Sequence, residues 1–216
     1  MNLSKKYWHN KRVGSLNAAP NVSLFRLLGE YGFNFENKKV LEIGFFHGAD
    51  LMEFNKRKSL IYGLDINKNA VDNIKKELPL SQIKKLDCSK EKIPFLTKFD
   101  LIYSRDFIYY LNKAEMIFHF DNVYKSLKKG GLYLFQFLEK DLLIKKNSYT
   151  KYNFEKNYIL KKFSEEKNPV KFYDTDFFEK IINDLRFKIV GKKFLIESYG
   201  TKEKKVRINK YLLCMK

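Results

Sequence analysis

Cysteine is nearly missing from this chain of 216 residues: Cys88 and Cys214 are the only two. Two thiols cannot build a disulfide framework, and neither has a Cys or His at metal-ligand spacing, so no structural metal is expected. No apolar run is long enough to cross a bilayer. The basic stretch from Met1 to Arg12 is not followed by the uncharged apolar run of a secretory signal, so a cytoplasmic location is expected. Arginine is scarce as well: Arg12, Arg26, Arg57, Arg105, Arg186 and Arg207 are six among 43 basic residues. Arginine is the better bidentate reader of phosphates and bases. The formal charge of +18 therefore reads first as a lysine-rich solvated surface, next as attraction to small anions, and last as a nucleic-acid surface.

Apolar residues make up 44% of the chain and aromatics 16%, enough to bury a core, and the length suits one domain better than two. Strand-like and helix-like runs alternate from residue 38 to residue 138, the pattern of a parallel sheet covered by helices. The strand candidates are Lys39 to Ile43, Leu60 to Leu64, Gln82 to Leu86, Asp100 to Tyr103 and Gly131 to Phe137. Between them lie helical patterns over Ala49 to Lys56, Lys68 to Leu78 and Ala114 to Leu127, the last expected to close at Lys128, Lys129 and Gly130. Residues 1–37 read as an N-terminal flap, Tyr7 to Pro20, followed by an amphipathic helix over Val22 to Tyr31. Residues 139–173 read as a lysine- and tyrosine-rich lid. Residues 174–216 read as a helix, Asp174 to Leu185, capped by Asp174 or Thr175, and an antiparallel hairpin over Phe187 to Glu197 and Val206 to Met215.

The first strand runs into Val40-Leu41-Glu42-Ile43-Gly44-Phe45-Phe46-His47-Gly48, a nucleotide-cofactor loop whose slots hold Gly44, Phe46 and Gly48. Its middle glycine is missing. Glu42 stands where pyrophosphate would be repelled, and the Gly-Lys-Ser/Thr ending of a triphosphate loop is absent, so the ligand is expected to be zwitterionic or cationic at this end. Asp65, in Gly63-Leu64-Asp65-Ile66-Asn67, ends the second strand where a carboxylate accepts ribose hydroxyls. Asp87, in Leu86-Asp87-Cys88, ends the third, where an acid could accept an adenine amine. Acids at three successive strand ends are a sharper signal than one loop.

With Phe99-Asp100-Leu101-Ile102-Tyr103-Ser104-Arg105-Asp106 and Lys128-Lys129-Gly130-Gly131-Leu132, the chain resembles the class I S-adenosylmethionine-dependent methyltransferases from Val40 to Phe137. The terminal hairpin extends the resemblance over nearly all of it. The resemblance implies an α/β, Rossmann-like seven-stranded mixed sheet of order 3-2-1-4-5-7-6 with helices on both faces, and S-adenosyl-L-methionine as cofactor. It implies that Glu42, Gly44, Phe46 and Gly48 surround the methionine part, that Asp65 and Ile66 meet ribose, that Asp87 and Cys88 face adenine, and that Ser104 lies beside the amino group. Tyr7 is expected to close over the cofactor. The Asn/Asp-Pro-Pro-Tyr pattern of amino-group nucleic-acid methylases is absent, and no Asp-Asn pair follows the fifth strand, so no catalytic metal is expected.

Methyl transfer needs alignment and exclusion of water more than it needs a base. Asp106, Tyr109 and Tyr110 are the catalytic candidates, though Asp106 could instead cap a short helix and the tyrosines could pack in the core. His47 is either a ligand contact or a solvent-facing loop residue; His119, between Phe118 and Phe120, reads as structural. Tyr7 and Trp8 close the site or anchor the N-terminus, and Arg12 reads as exposed. The expected reaction is methylation at oxygen of a small polar, anionic partner: a sugar, sugar nucleotide or phosphorylated intermediate of surface polysaccharide biosynthesis, covered by Tyr149, Tyr152 and Tyr158 of the lid. An RNA substrate and a non-catalytic cofactor-binding protein remain as alternatives.

Overall fold

The structure is a computed structural model that describes residues 3–13, 19–138, 149–151, 157–160, 169–171, 173, 175–199 and 205–216. Its centre is a seven-stranded sheet. The strands are β1 (Lys39–Ile43), β2 (Leu60–Asp65), β3 (Gln82–Lys85), β4 (Phe99–Ser104), β5 (Leu127–Leu138), β9 (Lys188–Tyr199) and β10 (Lys205–Met215). They lie in the order β3-β2-β1-β4-β5-β10-β9, parallel from β3 to β5 and antiparallel from β5 onward. Counted within the sheet alone, that is 3-2-1-4-5-7-6.

Both faces of this sheet are buried, which is why its central strands are apolar throughout rather than alternating. Leu41, Ile43, Ile102, Tyr133 and Phe135 pack on one side with α5 (Lys113–Ser126) and α6 (Thr175–Asp184). Val40, Leu101, Tyr103 and Leu134 pack on the other with α2 (Val22–Glu30), α3 (Ala49–Lys56) and α4 (Lys68–Glu77). Each helix buries one stripe at helical spacing: Met116, His119, Phe120 and Val123 on α5, and Ala70, Val71 and Ile74 on α4. Asn21, Asn67 and Asn112 cap α2, α4 and α5, each accepting a backbone N–H from the first turn, and Asn112 forms a capping box with Glu115.

Three features add to or adjust the expected architecture. The N-terminal segment is a helix, α1 (Leu3–Asn10), over part of the length expected to be a flap. The α5 helix stops at Ser126, one residue short of the expected Leu127, but β5 begins at Leu127 rather than Gly131, because Lys128 to Gly131 belong to an irregularity in the strand: Phe99 pairs with Leu127 but Leu101 pairs with Leu132. Gly130 takes φ +75°, and a Cβ on Gly131 would stand 2.8 Å from the carbonyl oxygen of Phe99, so the two glycines serve the strand rather than a helix end. Within the expected lid, β6 (Tyr149–Lys151), β7 (Asn157–Leu160) and β8 (Pro169–Lys171) form a small antiparallel sheet. The expected roles of Tyr149, Tyr152 and Tyr158 and the cap at Asp174 lie outside the described side chains. Thr175 opens α6. Among the described residues no helix is long and apolar enough to cross a membrane.

Candidate cofactor and active site

The parallel registers set Ile43 beside Leu64 and Ser104, so the loops after β1, β2 and β4 leave the sheet at one edge. After β1 the backbone turns through positive φ at Gly44 (79°), Phe46 (38°) and Gly48 (69°). A Cβ on Gly48 would stand 2.2 Å from Ile74 Cδ1, so this slot needs glycine for space as well as conformation. Phe46 adopts its left-handed backbone despite a side chain, at a cost on the order of 1–3 kcal/mol. Its N–H donates to Asp65 Oδ2 at 2.8 Å, and its ring packs edge-on against Trp8 at 5.2 Å and His47 at 4.4 Å. The bulky residue thus becomes a wall of the site.

Four acids stand here at the ends of β1, β2 and β3 and in the first turn of α3, and a fifth, Asp106, follows β4. Glu42 is buried, accepts the Leu51 N–H from the first turn of α3, and has no hydrogen-bond partner at Oε2 among the described residues. Burial, reinforced by the neighbouring Asp50, pushes its carboxyl well above the ordinary range. Asp50 accepts the Asn21 N–H at 2.6 Å and the Tyr103 hydroxyl at 3.2 Å, and Arg105 Nη1 lies 3.7 Å away. Asp65 accepts from the N–H groups of Phe46 and Asn67, each at 2.8 Å; burial nevertheless pushes its carboxyl up to about 6. Asp87 accepts from the Ser89 hydroxyl at 2.6 Å and pairs with Lys5 at 3.3 Å. Burial works against its charge, but these donors prevail and its carboxyl titrates below the ordinary value.

The α1 helix closes one side. Lys5, itself buried, donates to Ser89 and to Glu115 (2.7 Å) as well as pairing with Asp87. Trp8 packs on Phe46 and, at 5.7 Å, on Tyr110. The side-chain amide of Asn67 donates to the carbonyls of Trp8 and Lys11, both at 2.7 Å, while its oxygen caps α4. The cofactor loop, the β2 end and α1 are therefore one connected unit.

At the β4 end, Asp106 has φ +49°, donates its N–H to Gln136 Oε1 at 2.9 Å, and receives the Tyr109 hydroxyl at 2.7 Å. Arg105 Nε stands 3.5 Å from the Asp106 carboxylate. A chain of hydroxyls runs behind this end: His119 Nε2 meets the Tyr133 hydroxyl at 2.9 Å, and that hydroxyl donates to Ser104 Oγ at 3.2 Å. Burial lowers the His119 pKa to about 3, so it is a neutral core histidine.

These groups enclose a cavity of about 230 Å³. Of the residues expected there, Glu42, Gly44, Phe46, Asp65, Ile66, Asp87, Cys88, Asp106 and Tyr110 line it. Tyr7, Gly48, Ser104 and Tyr109 do not. Gly48 shapes the loop, Tyr109 holds Asp106, Ser104 is fully buried beneath the wall, and Tyr7 packs edge-on against Trp8 at 5.1 Å, so Trp8 takes the lining place expected of Tyr7. Lys5, Asp50, Arg105 and Phe107 also line the cavity and had drawn no site assignment from the sequence. For Asp50 a signal existed, an acid in the first turn of the helix that follows the loop. Among the described residues no group of three or more His, Cys, Asp or Glu is placed to hold a metal ion.

A cavity with an unsatisfied buried carboxyl oxygen at one end and carboxylates at the ends of β2 and β3 fits a ligand with an ammonium, a ribose and an amine-bearing base. Fold and site define an α/β enzyme of the nucleoside-cofactor type. Residues 40–131 match the family model described as a methyltransferase domain. Solved structures of the same fold include a protein from Pyrococcus horikoshii, 16% identical with a TM-score of 0.70, the match covering 99% of each chain. A SAM-dependent methyltransferase from Methanosarcina mazei is 14% identical, with a TM-score of 0.66 over 92% of this chain and 99% of that one. Magnesium protoporphyrin IX methyltransferase from Synechocystis PCC 6803 with bound SAM is 13% identical, with a TM-score of 0.66 over 98% of this chain and 94% of that one. No curated protein sequence matches the chain. Residues 40–131 thus carry a methyltransferase domain, in the fold of solved S-adenosylmethionine-dependent methyltransferases.

Proposed function

We propose that this methyltransferase acts in the cytoplasm, as a single domain, on a hydroxyl of a small polar acceptor. The acceptor class is a sugar, a sugar nucleotide or a phosphorylated intermediate of surface polysaccharide synthesis. The observation that carries the reading is Asp106, a cavity-lining carboxylate fixed by the Tyr109 hydroxyl and Arg105 beside Tyr110. A hydroxyl must lose a proton as it attacks, and an oriented carboxylate can take it. The lysine-rich charge favours an anionic acceptor, and its spread along the chain speaks against RNA.

Glu42 would receive the cofactor's ammonium, Asp65 the ribose hydroxyls, and Asp87 with Cys88 the adenine edge. When bound, the cofactor supplies an electrophilic methyl carbon on a sulfonium. Trp8, Phe46, Phe107 and Tyr110 exclude water from that end of the cavity, so the acceptor oxygen competes with little solvent. Incubation with methyl-labelled S-adenosylmethionine and separate pools of nucleotide sugars, sugar phosphates, alkylamines and RNA tests this. Label recovered as a methyl ether in a sugar pool supports the reading; label only in amines or RNA overturns it.

A further inference from the structure

Three polar atoms of cavity-lining residues are buried without a hydrogen-bond partner among the described residues, and they ask for opposite things: Trp8 Nε1 is a donor that calls for an acceptor. Glu42 Oε2 calls for a donor. His47 Nδ1, in the tautomer that carries its hydrogen there, calls for an acceptor. His47 lies in the loop between Phe46 and Gly48, with its ring set edge-on to Phe46, and it lines the same cavity as Glu42.

The surroundings of His47 are cationic. Lys11 and Arg105 line the cavity with it, and after burial these two charges are what lower its pKa, so the imidazole is neutral near neutral pH. The Lys11 ammonium rests over the rings of Tyr7 (4.8 Å), Trp8 (4.7 Å) and Phe46 (5.6 Å), which holds it at the rim. Arg105 is anchored from behind by Asp50 and Asp106 at 3.7 and 3.5 Å. An N–H donor in a wall shared with two cations suits an anion, while the unpartnered oxygen of Glu42 suits a cation. An α-amino acid carries both charges, on two substituents of one carbon.

We propose that His47, backed by Lys11 and Arg105, holds the carboxylate of the amino-acid end of the cofactor while Glu42 holds its ammonium. The pocket then reads that end as a zwitterion and rejects analogues that lack the carboxylate. The inference rests on the S-adenosylmethionine reading of the cavity. It makes His47 a binding and selectivity residue and leaves proton removal to Asp106.

Calorimetric titration of the full chain with S-adenosylhomocysteine, and with its decarboxylated counterpart in which a propylamine replaces the amino-acid chain, tests the proposal. The unaltered protein should prefer S-adenosylhomocysteine by about 10- to 100-fold, the range of a hydrogen bond to a charged group. His47→Ala should lose most of that preference by weakening S-adenosylhomocysteine alone, with the decarboxylated ligand unchanged. His47→Gln, whose amide can donate, should keep part of the preference and serves where the alanine variant folds poorly, as judged by its melting temperature. Equal weakening of both ligands, or unchanged S-adenosylhomocysteine affinity in both variants, overturns the role of His47. If the unaltered protein binds neither ligand, the cofactor reading falls and this proposal with it.

Discussion

Lowering the pH from about 8 to about 5 should weaken binding of S-adenosylhomocysteine roughly tenfold through Asp65 alone. Burial raises this carboxyl from 3.8 to about 6 in the ligand-free protein, although the N–H groups of Phe46 and Asn67 favour its charged form. Accepting both ribose hydroxyls calls for the ionised carboxylate. Protons therefore compete with ligand, and affinity falls as pH drops through about 6. At about pH 8 nearly every molecule is ionised, and at about pH 5 roughly one in eleven is, which gives the tenfold figure. Glu42, also raised by burial, adds to the slope if it too must ionise to hold the ammonium. Titration calorimetry across this range, on the unaltered protein and on Asp65→Ala, separates the two. The variant should bind more weakly at about pH 8 by about 1–3 kcal/mol, and its affinity should depend on one proton fewer. A flat affinity for the unaltered protein from pH 5 to 8, or a variant that behaves identically, would refute the assignment.

Gly48→Ala should lower stability by about 1–3 kcal/mol, because it adds a Cβ 2.2 Å from Ile74 Cδ1 at a left-handed position; chemical denaturation reads the loss. Lys5→Met removes the cation between Asp87 and Glu115, whose pairs are largely shielded, and should cost about 3 kcal/mol in the same assay. It should also make the α1 segment cleavable by protease at lower concentration. Asp106→Asn should lower turnover by about 100-fold or more while leaving S-adenosylhomocysteine affinity within about twofold, measured with whichever acceptor the labelled pools identify. Cys88 and Cys214 are both buried, and burial pushes the thiol of Cys88 well above the ordinary value and that of Cys214 to about 12. Neither should react with a thiol reagent until the protein is denatured, and a rapid reaction in the native state would contradict the packing.

The central sheet was legible because its signals are local. Apolar runs ending at Ile43, Asp65 and Ser104 and cap residues such as Asn67 and Asn112 mark their own boundaries. The α3 helix matches its expected span of Ala49 to Lys56. The α1 helix was not legible, since what holds it is distant in sequence: Lys5 reaches Asp87 and Glu115, and Asn67 reaches back to Trp8 and Lys11. For the same reason the sequence offered both Tyr7 and Trp8 as covers of the cavity, and only the fold places Trp8 in its lining. The start of β5 was misread because Lys128-Lys129-Gly130 resembles a helix terminus, whereas the pairing of Phe99 with Leu127 draws these residues into the sheet. Within the site, the acids at strand ends could be seen singly, but the tie from Asp65 to Phe46 explains how the loop works without its middle glycine.

The central claim is that one cavity binds the cofactor in a fixed sense, from Glu42 through Asp65 to Asp87. A crystal structure with S-adenosylhomocysteine tests it most directly. The account predicts the ammonium on Glu42, both ribose hydroxyls on Asp65 and the purine edge at Asp87 and Cys88. A ligand bound in the reverse sense, or bound outside the space between α1 and the β1 loop, would contradict it.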